Sequence, residues 1–154
     1  MTDLDLARAQ MGLSVGRPLL VKTGSHGDVL LLTSGYNAPA ADGRGRLFVV
    51  EPSTGAILRT LATPVVSGVG DPGLAQVTAF SEVDGTVRYV YGGDEHGNLW
   101  RFDLDPASIT PVLRLATLVV AANRPQTITA RPALLEQRGQ RIVLVGTGRI
   151  LGLG

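Results

Sequence analysis

The chain has 154 residues, with 14 Lys and Arg against 13 Asp and Glu and a formal net charge of +1. This balance, and the lack of a Lys/Arg cluster, argue against nucleic-acid binding by bulk electrostatics. Without cysteine the chain can form neither disulfides nor thiolate metal sites, and no apolar run approaches the roughly 18 residues that span a bilayer.

Residues 1–13 are expected to be a leader or the end of a preceding segment. The pattern allows a short amphipathic helix over Leu4–Met11, with a frayed leader as the alternative. The first residues, MTDLDLARAQMGL, are acidic before they are basic and contain no apolar core. They therefore lack the pattern of a secretory signal peptide.

Short apolar segments recur in the same order along residues 14–154. First- and second-strand patterns each occur three times, and third- and fourth-strand patterns each occur twice. The first strands are predicted at 16–21, 75–80 and 130–135, the second at 29–35, 88–93 and 142–148, the third at 45–50 and 97–102, and the fourth at 56–61 and 110–115. Pro18 and Val77 are 59 residues apart, and Gly45 and Gly97 are 52 apart.

Four short strands in a period of about 50 residues are typical of a β-propeller blade. We therefore predict an all-β fold: a partial β-propeller of about two and a half four-stranded antiparallel blades. The blades are expected at about 14–65, 73–120 and 127–154, the last being incomplete. Closed propellers need roughly four to eight blades. We thus expect the chain to be a fragment of a larger propeller, or to associate through exposed blade edges.

The stretch from Gly92 to Leu104, GGDEHGNLWRFDL, predicts a tight turn followed by a strand. Asp94 is expected to accept hydrogen bonds from the backbone N–H groups of the turn. Trp100, the only tryptophan, is expected to pack between blades with its N–H satisfied nearby. Asp94, Gly97, Asn98 and Trp100 are thus predicted to form a structural motif, and the two histidines, His26 and His96, to be exposed turn residues.

A longer stretch, YVYGGDEHGNLWRFDL from Tyr89 to Leu104, resembles the YVYAGD-x-x-GNLWRFDL signature of the PilY-type type IV pilus biogenesis proteins. Four further segments are similar to motifs of that family: 34–37 to GNGYN, 46–56 to LYVLD-x-x-TGA, 128–132 to ITARP, and 146–149 to GTG-R/K. The resemblance covers about residues 14–152. It implies the C-terminal domain of that family, a modified seven-bladed propeller.

The resemblance implies a role in pilus extension, surface adhesion and twitching motility, not catalysis. It implies pilus components or surface ligands as partners and a location in the cell envelope or at the surface. No catalytic or cofactor-binding residue is predicted. One alternative is a fragment of a quinoprotein dehydrogenase, which the lack of a cysteine pair to hold its quinone disfavours. Another is a structural scaffold without activity of its own.

The resemblance also implies a calcium loop of the form D-x-x-x-D-G-x-x-D just before this stretch, corresponding to residues 80–88. Asp84 keeps the turn and Glu82 is a candidate ligand, but Phe80 and Arg88 stand at the first and last acidic positions. A guanidinium inverts the charge that a dication needs. We expect calcium binding to be lost and a plain Asp-Gly turn to remain. On one hypothesis, Arg88 holds this turn by pairing with Asp84 or Glu82.

Overall fold

A computed structural model of the chain describes residues 10–37, 42–66, 70–121 and 124–148. Strands and turns make up these residues, with no α-helix among them, so the all-β prediction is confirmed. The short helix predicted at Leu4–Met11 is not borne out. Residues 4–9 lie outside the described residues, and Gln10 and Met11 have turn and irregular backbone.

The first blade is a four-stranded antiparallel sheet in which neighbours in sequence are neighbours in space. Its strands are β1 (Leu19–Thr23), β2 (Gly27–Thr33), β3 (Arg46–Val50) and β4 (Ile57–Ala62). Two glycines make the tight connections, Gly27 at φ 68° and Gly55 at φ 73°. Such backbone angles favour glycine because it has no Cβ. The short turns keep consecutive strands adjacent.

The second blade has the same topology and the same strand order. Its strands are β5 (Leu74–Ser81), β6 (Val87–Asp94), β7 (Asn98–Asp103) and β8 (Val112–Thr117). Strands β6 and β7 are joined by the predicted tight turn, and their register places Tyr89 opposite Asp103 and Gly92 opposite Trp100. The repeat seen in the sequence is therefore a repeat of one sheet topology.

Two shorter hairpins follow the second blade. The first is the pair β9 (Val119–Val120) and β10 (Arg124–Pro125), and the second is the pair β11 (Ala133–Gln137) and β12 (Gln140–Leu144). The first pair was not predicted, since strands of two residues leave no periodic pattern to detect. The second pair corresponds to the first two strands of the third repeat.

The main core lies between the first two blades. One face of each sheet contributes apolar side chains to a single buried cluster: Val29, Leu31, Leu47, Val49 and Leu61 from the first blade, and Leu74, Val77, Val87, Val90, Trp100, Phe102 and Leu104 from the second blade and the residue after β7. Burying such side chains contributes about 1.5–3 kcal/mol each. Two inter-blade hydrogen bonds flank the core, from Thr33 Oγ1 to the Ala75 carbonyl at 2.8 Å and from Arg59 Nη1 to the Leu104 carbonyl at 2.9 Å.

The third repeat packs against the opposite face of the second blade. Ile128 is fully buried there, directly over the backbone of Gly93. A Cβ built on Gly93 would lie 2.2 Å from Ile128 Cγ2. The close approach of the two repeats therefore depends on a residue without a side chain at position 93.

We predict that Gly93→Ala lowers the free energy of unfolding by about 1–3 kcal/mol, because the added methyl group would clash with Ile128 and displace it from its buried position. Urea denaturation followed by circular dichroism measures the change. Gly24→Ala is the matched control, since a Cβ there meets nothing within 4 Å. Equal stability of the two variants would contradict the proposed close packing.

Candidate functional site

The carboxylate of Asp94 lies at the end of β6 and is buried, with the residue 1% exposed. Its Oδ1 accepts the backbone N–H groups of His96 and Asn98, each at 2.9 Å. These are donors of the turn that joins β6 to β7, so one side chain closes the hairpin. Burial of a charged group is tolerated where hydrogen bonds replace its hydration.

Two side chains of β7 complete the surroundings of Asp94. The Asn98 Nδ2 group donates to Oδ2 at 2.9 Å and lies 3.2 Å from Oδ1, and the Trp100 Nε1–H donates to Oδ2 at 2.7 Å. Asn98 in turn accepts the Thr117 hydroxyl at 2.8 Å. Because Asn98 and Trp100 are two residues apart on one strand, they point to the same side. The cluster of Asp94, Asn98, Trp100 and Thr117 thus connects β6, β7 and β8, and we call it the Asp94 cluster.

Gly97 lets the same turn approach the segment that follows β8. Its φ is 76°, and a Cβ there would lie 2.5 Å from the Leu118 carbonyl oxygen and 2.9 Å from that of Gln126. Its own carbonyl accepts the Leu118 N–H at 2.8 Å, and the Asp94 carbonyl accepts the Ile128 N–H at 2.9 Å. The turn therefore links the second blade to the segments that follow it.

The histidines differ in exposure. His26 is exposed, and its Nδ1 lies 2.8 Å from Ser25 Oγ. His96 is half-buried instead of exposed, since it sits beside the β9–β10 hairpin, which the sequence did not predict. Within the described parts of the chain, no three His, Cys, Asp or Glu side chains come together in a way that could hold a metal ion.

The two candidate calcium ligands lie in the turn between β5 and β6. Asp84 Oδ1 accepts the backbone N–H of Thr86 at 2.9 Å and its hydroxyl at 2.7 Å, and these bonds hold the pKa of Asp84 below its usual value. Both carboxylate oxygens of Glu82 accept N–H groups of Arg141, each at 2.7 Å. Protein donors thus engage both carboxylates.

The hypothesis that Arg88 pairs with Asp84 or Glu82 is wrong. Arg88 donates instead to the buried carboxylate of Asp103, from Nε at 3.2 Å and from Nη2 at 3.1 Å. Burial acts to raise the pKa of Asp103, but these bonds and one from the Asp105 backbone hold it below its usual value. The pairing of β6 with β7 brings the two side chains within reach of each other. Asp103 lies opposite Tyr89, the residue that follows Arg88 in sequence.

An open groove of about 630 Å³ lies between the first two blades. Residues in and beside the β1–β2, β5–β6 and β7–β8 turns line it. Ser25, Arg88 and Asp105 are among the residues that line it. Tyr89 also lines it, with the Arg88 and Arg101 guanidinium carbons 5.1 Å and 4.5 Å from its ring centroid. Hydroxyl, carboxylate, guanidinium and aromatic groups together suit a polar peptide surface. Sequence reasoning missed this groove because it forms only where two blades face each other.

Known proteins with similar sequences and structures identify the family of the fold. The profile of the PilY1 beta-propeller domain matches residues 3–152. The type IV pilus biogenesis factor PilY1 of Pseudomonas aeruginosa is 29% identical over 167 residues, covering 90% of this chain and 14% of the relative. A PilY1 homologue of Xylella fastidiosa is 32% identical over 103 residues, covering 61% of this chain and 7% of the relative.

The crystal structure of the Pseudomonas aeruginosa PilY1 C-terminal domain superimposes with a TM-score of 0.78 at 28% identity, over 91% of this chain and 33% of that chain. The motif resemblance and the partial propeller are thereby confirmed. The chain spans 14% of the length of the full Pseudomonas relative. Among the described residues, no helix is long and apolar enough to cross a membrane.

We predict that Asp94→Asn lowers the free energy of unfolding by about 1–3 kcal/mol, because the amide nitrogen would face N–H donors and leave at least one of them unsatisfied. Trp100→Phe, which removes one donor, should cost less in the Asp94→Asn background than in the wild type. Urea denaturation followed by circular dichroism gives this double-mutant cycle. Asp28→Asn, at an exposed position, is the control and should change stability by less than about 0.5 kcal/mol. Additive effects of the two cluster substitutions would contradict the coupling.

Proposed function

The chain belongs to the PilY1 β-propeller family, and from that membership we propose that it is a non-enzymatic binding module of type IV pilus biogenesis. The observation that carries the proposal is the match of 91% of the chain to the solved PilY1 C-terminal domain, at 28% identity. A rigid propeller typically presents binding residues on the turns at its two ends. Pilus components or surface ligands are the proposed partners, at the cell envelope or surface.

The engagement of its acidic groups supports a binding role over an enzymatic one. Asp94 is surrounded by N–H donors, and Glu82 is paired with Arg141. A catalytic acid or base needs to reach a substrate proton, and both carboxylates are already taken by protein donors. The quinoprotein alternative is not favoured, because the chain has no cysteine pair to stack the quinone.

The groove between the first two blades is the surface that we propose for partner contact. It is open, and turn residues of both blades line it. Its exposed guanidinium, Arg88, has a side chain 50% exposed and is fixed by Asp103, whose side chain is 5% exposed. A preorganised arginine loses little freedom on binding, which favours affinity. Polar, carbonyl-rich segments of a protein partner fit this chemistry, because carboxylates (Glu82 and Asp105) line the groove beside the guanidinium.

We expect purified type IV pili from the organism that encodes the chain to bind the immobilised chain saturably in surface plasmon resonance. Ser25→Trp, which fills part of the groove with a bulky uncharged ring, should weaken binding about tenfold or more. Thr60→Trp is the matched control on the exposed outer strand β4 and should leave binding unchanged. No saturable binding would favour the scaffold alternative. Equal binding by the two variants would place the contact outside the groove.

We also propose that the third repeat promotes self-association. Along β11 and β12, side chains alternate between two faces. Arg141 and Glu136 lie on the face toward the second blade, and Leu135 and Leu144 lie on the other, where they are 46% and 53% exposed. An exposed apolar face favours contact with another sheet, as does a strand edge that pairs with no further strand of the described residues.

Sedimentation velocity is expected to detect association that increases with protein concentration. The double variant Leu135→Lys/Leu144→Lys should shift the chain toward monomer, because it places two charges on the apolar face. Ile109→Lys changes a fully exposed loop residue and serves as the control. A wild-type chain that stays monomeric over the whole concentration range would rule out this contact.

A further inference from the structure

Arg141 connects the third repeat to the β5–β6 turn of the second blade across 59 residues of sequence. Its two terminal nitrogens donate to the two carboxylate oxygens of Glu82, each at 2.7 Å. Its Nε lies 3.7 Å from Glu136 Oε2, and its guanidinium carbon lies 5.1 Å from the ring centroid of Phe80. This is the planar, two-pronged geometry that makes arginine–carboxylate pairs directional.

The donors of this turn do not fit a calcium ion. Calcium takes about six to eight oxygen ligands. Both oxygens of Glu82 already accept hydrogen bonds from Arg141, and Oδ1 of Asp84 accepts two from Thr86. Position 80, an acid in the resembling calcium loop, is here a phenylalanine whose ring packs edge-on against Tyr91 with centroids 6.0 Å apart. The side chains of the turn thus supply far fewer free carboxylate oxygens than an acidic calcium loop does.

We propose that the guanidinium of Arg141 does the work of a divalent cation at this turn, so that the second and third repeats are tied together without calcium. Glu82 supplies the carboxylate that a cation would bind, and Arg141 supplies the positive charge from the neighbouring repeat. Phe80 contributes to this replacement of calcium by arginine. Its ring lies against the guanidinium, at the position where the resembling loop has a carboxylate. Attraction between a guanidinium and an aromatic face favours this arrangement.

A guanidinium tie responds to different conditions than a metal tie. Salt screens the attraction between Arg141 and Glu82, since both side chains are partly exposed, at 32% for Arg141 and 40% for Glu82. Arg141 lowers the pKa of Glu82 below its usual 4.5, while Asp84 acts to raise it. The contribution of this ion pair to the free energy of unfolding is therefore fully present above pH 4.5. It is lost as the pH falls through the lowered pKa that Glu82 has in the folded state. A chelator should have no effect.

Hydrogen exchange of the full chain, read by mass spectrometry on peptides covering residues 80–88, tests the proposal. In the wild type, exchange should be the same with millimolar calcium and with chelator. Arg141→Gln removes the charge and the two-pronged contact, and should speed exchange at the turn about two- to fivefold in either condition. Glu82→Gln should have the same effect from the other side of the pair.

Arg138→Gln is the matched control, since Arg138 is an exposed arginine in the turn of the same hairpin, and it should exchange like the wild type. Peptides covering residues 98–103 report whether any variant unfolds as a whole. Calcium-dependent protection in the wild type would overturn the proposal. So would exchange in Arg141→Gln and Glu82→Gln equal to that in Arg138→Gln.

Discussion

The buried carboxylate of Asp94 is the constraint on which the rest of the arrangement depends. Its oxygens are satisfied only when the β6–β7 turn is closed and β7 points Asn98 and Trp100 inward. Its backbone carbonyl holds Ile128 of the third repeat. An unsatisfied buried charge is costly, so these pieces are stable together and unstable apart. One residue thereby couples a local turn, a strand of the core and the contact between repeats.

The sequence predicts local features and the packing of Trp100 between blades, but not the polar contacts between repeats. The spacing of Asp94, Gly97 and Trp100 lies within one hairpin, where a few residues determine both the turn and the direction of side chains. The partner of Arg88 depends on the register of two paired strands, and the partner of Glu82 on how the third repeat packs on the second blade. No periodicity contains that information. The groove escaped prediction for the same reason, since its walls come from separate blades.

The repeats are alike in topology and different in detail. Blades one and two share the strand order and the glycine-rich turns, yet the compact Asp94–Gly97 turn closes only the second. Differences of this kind are where a repeated fold acquires function. In this chain they gather on the turns of the second blade: one turn supports the Asp94 cluster, and the opposite end carries the groove and the Arg141–Glu82 pair. Among the described residues, the second blade thus contacts both neighbouring repeats and carries most of the polar clusters described above.

The indole of Trp100 gives the protein a built-in optical probe. Because it is the single tryptophan and its N–H donates to the carboxylate of Asp94, emission excited selectively at tryptophan, and not at the three tyrosines, reports one site instead of an average over the molecule. Since the residue is 1% exposed, we expect its emission to shift to the red when water reaches the cluster. Emission and far-ultraviolet dichroism followed on the same sample would therefore separate opening of this blade from loss of the sheets, and reveal whether the repeats melt one at a time.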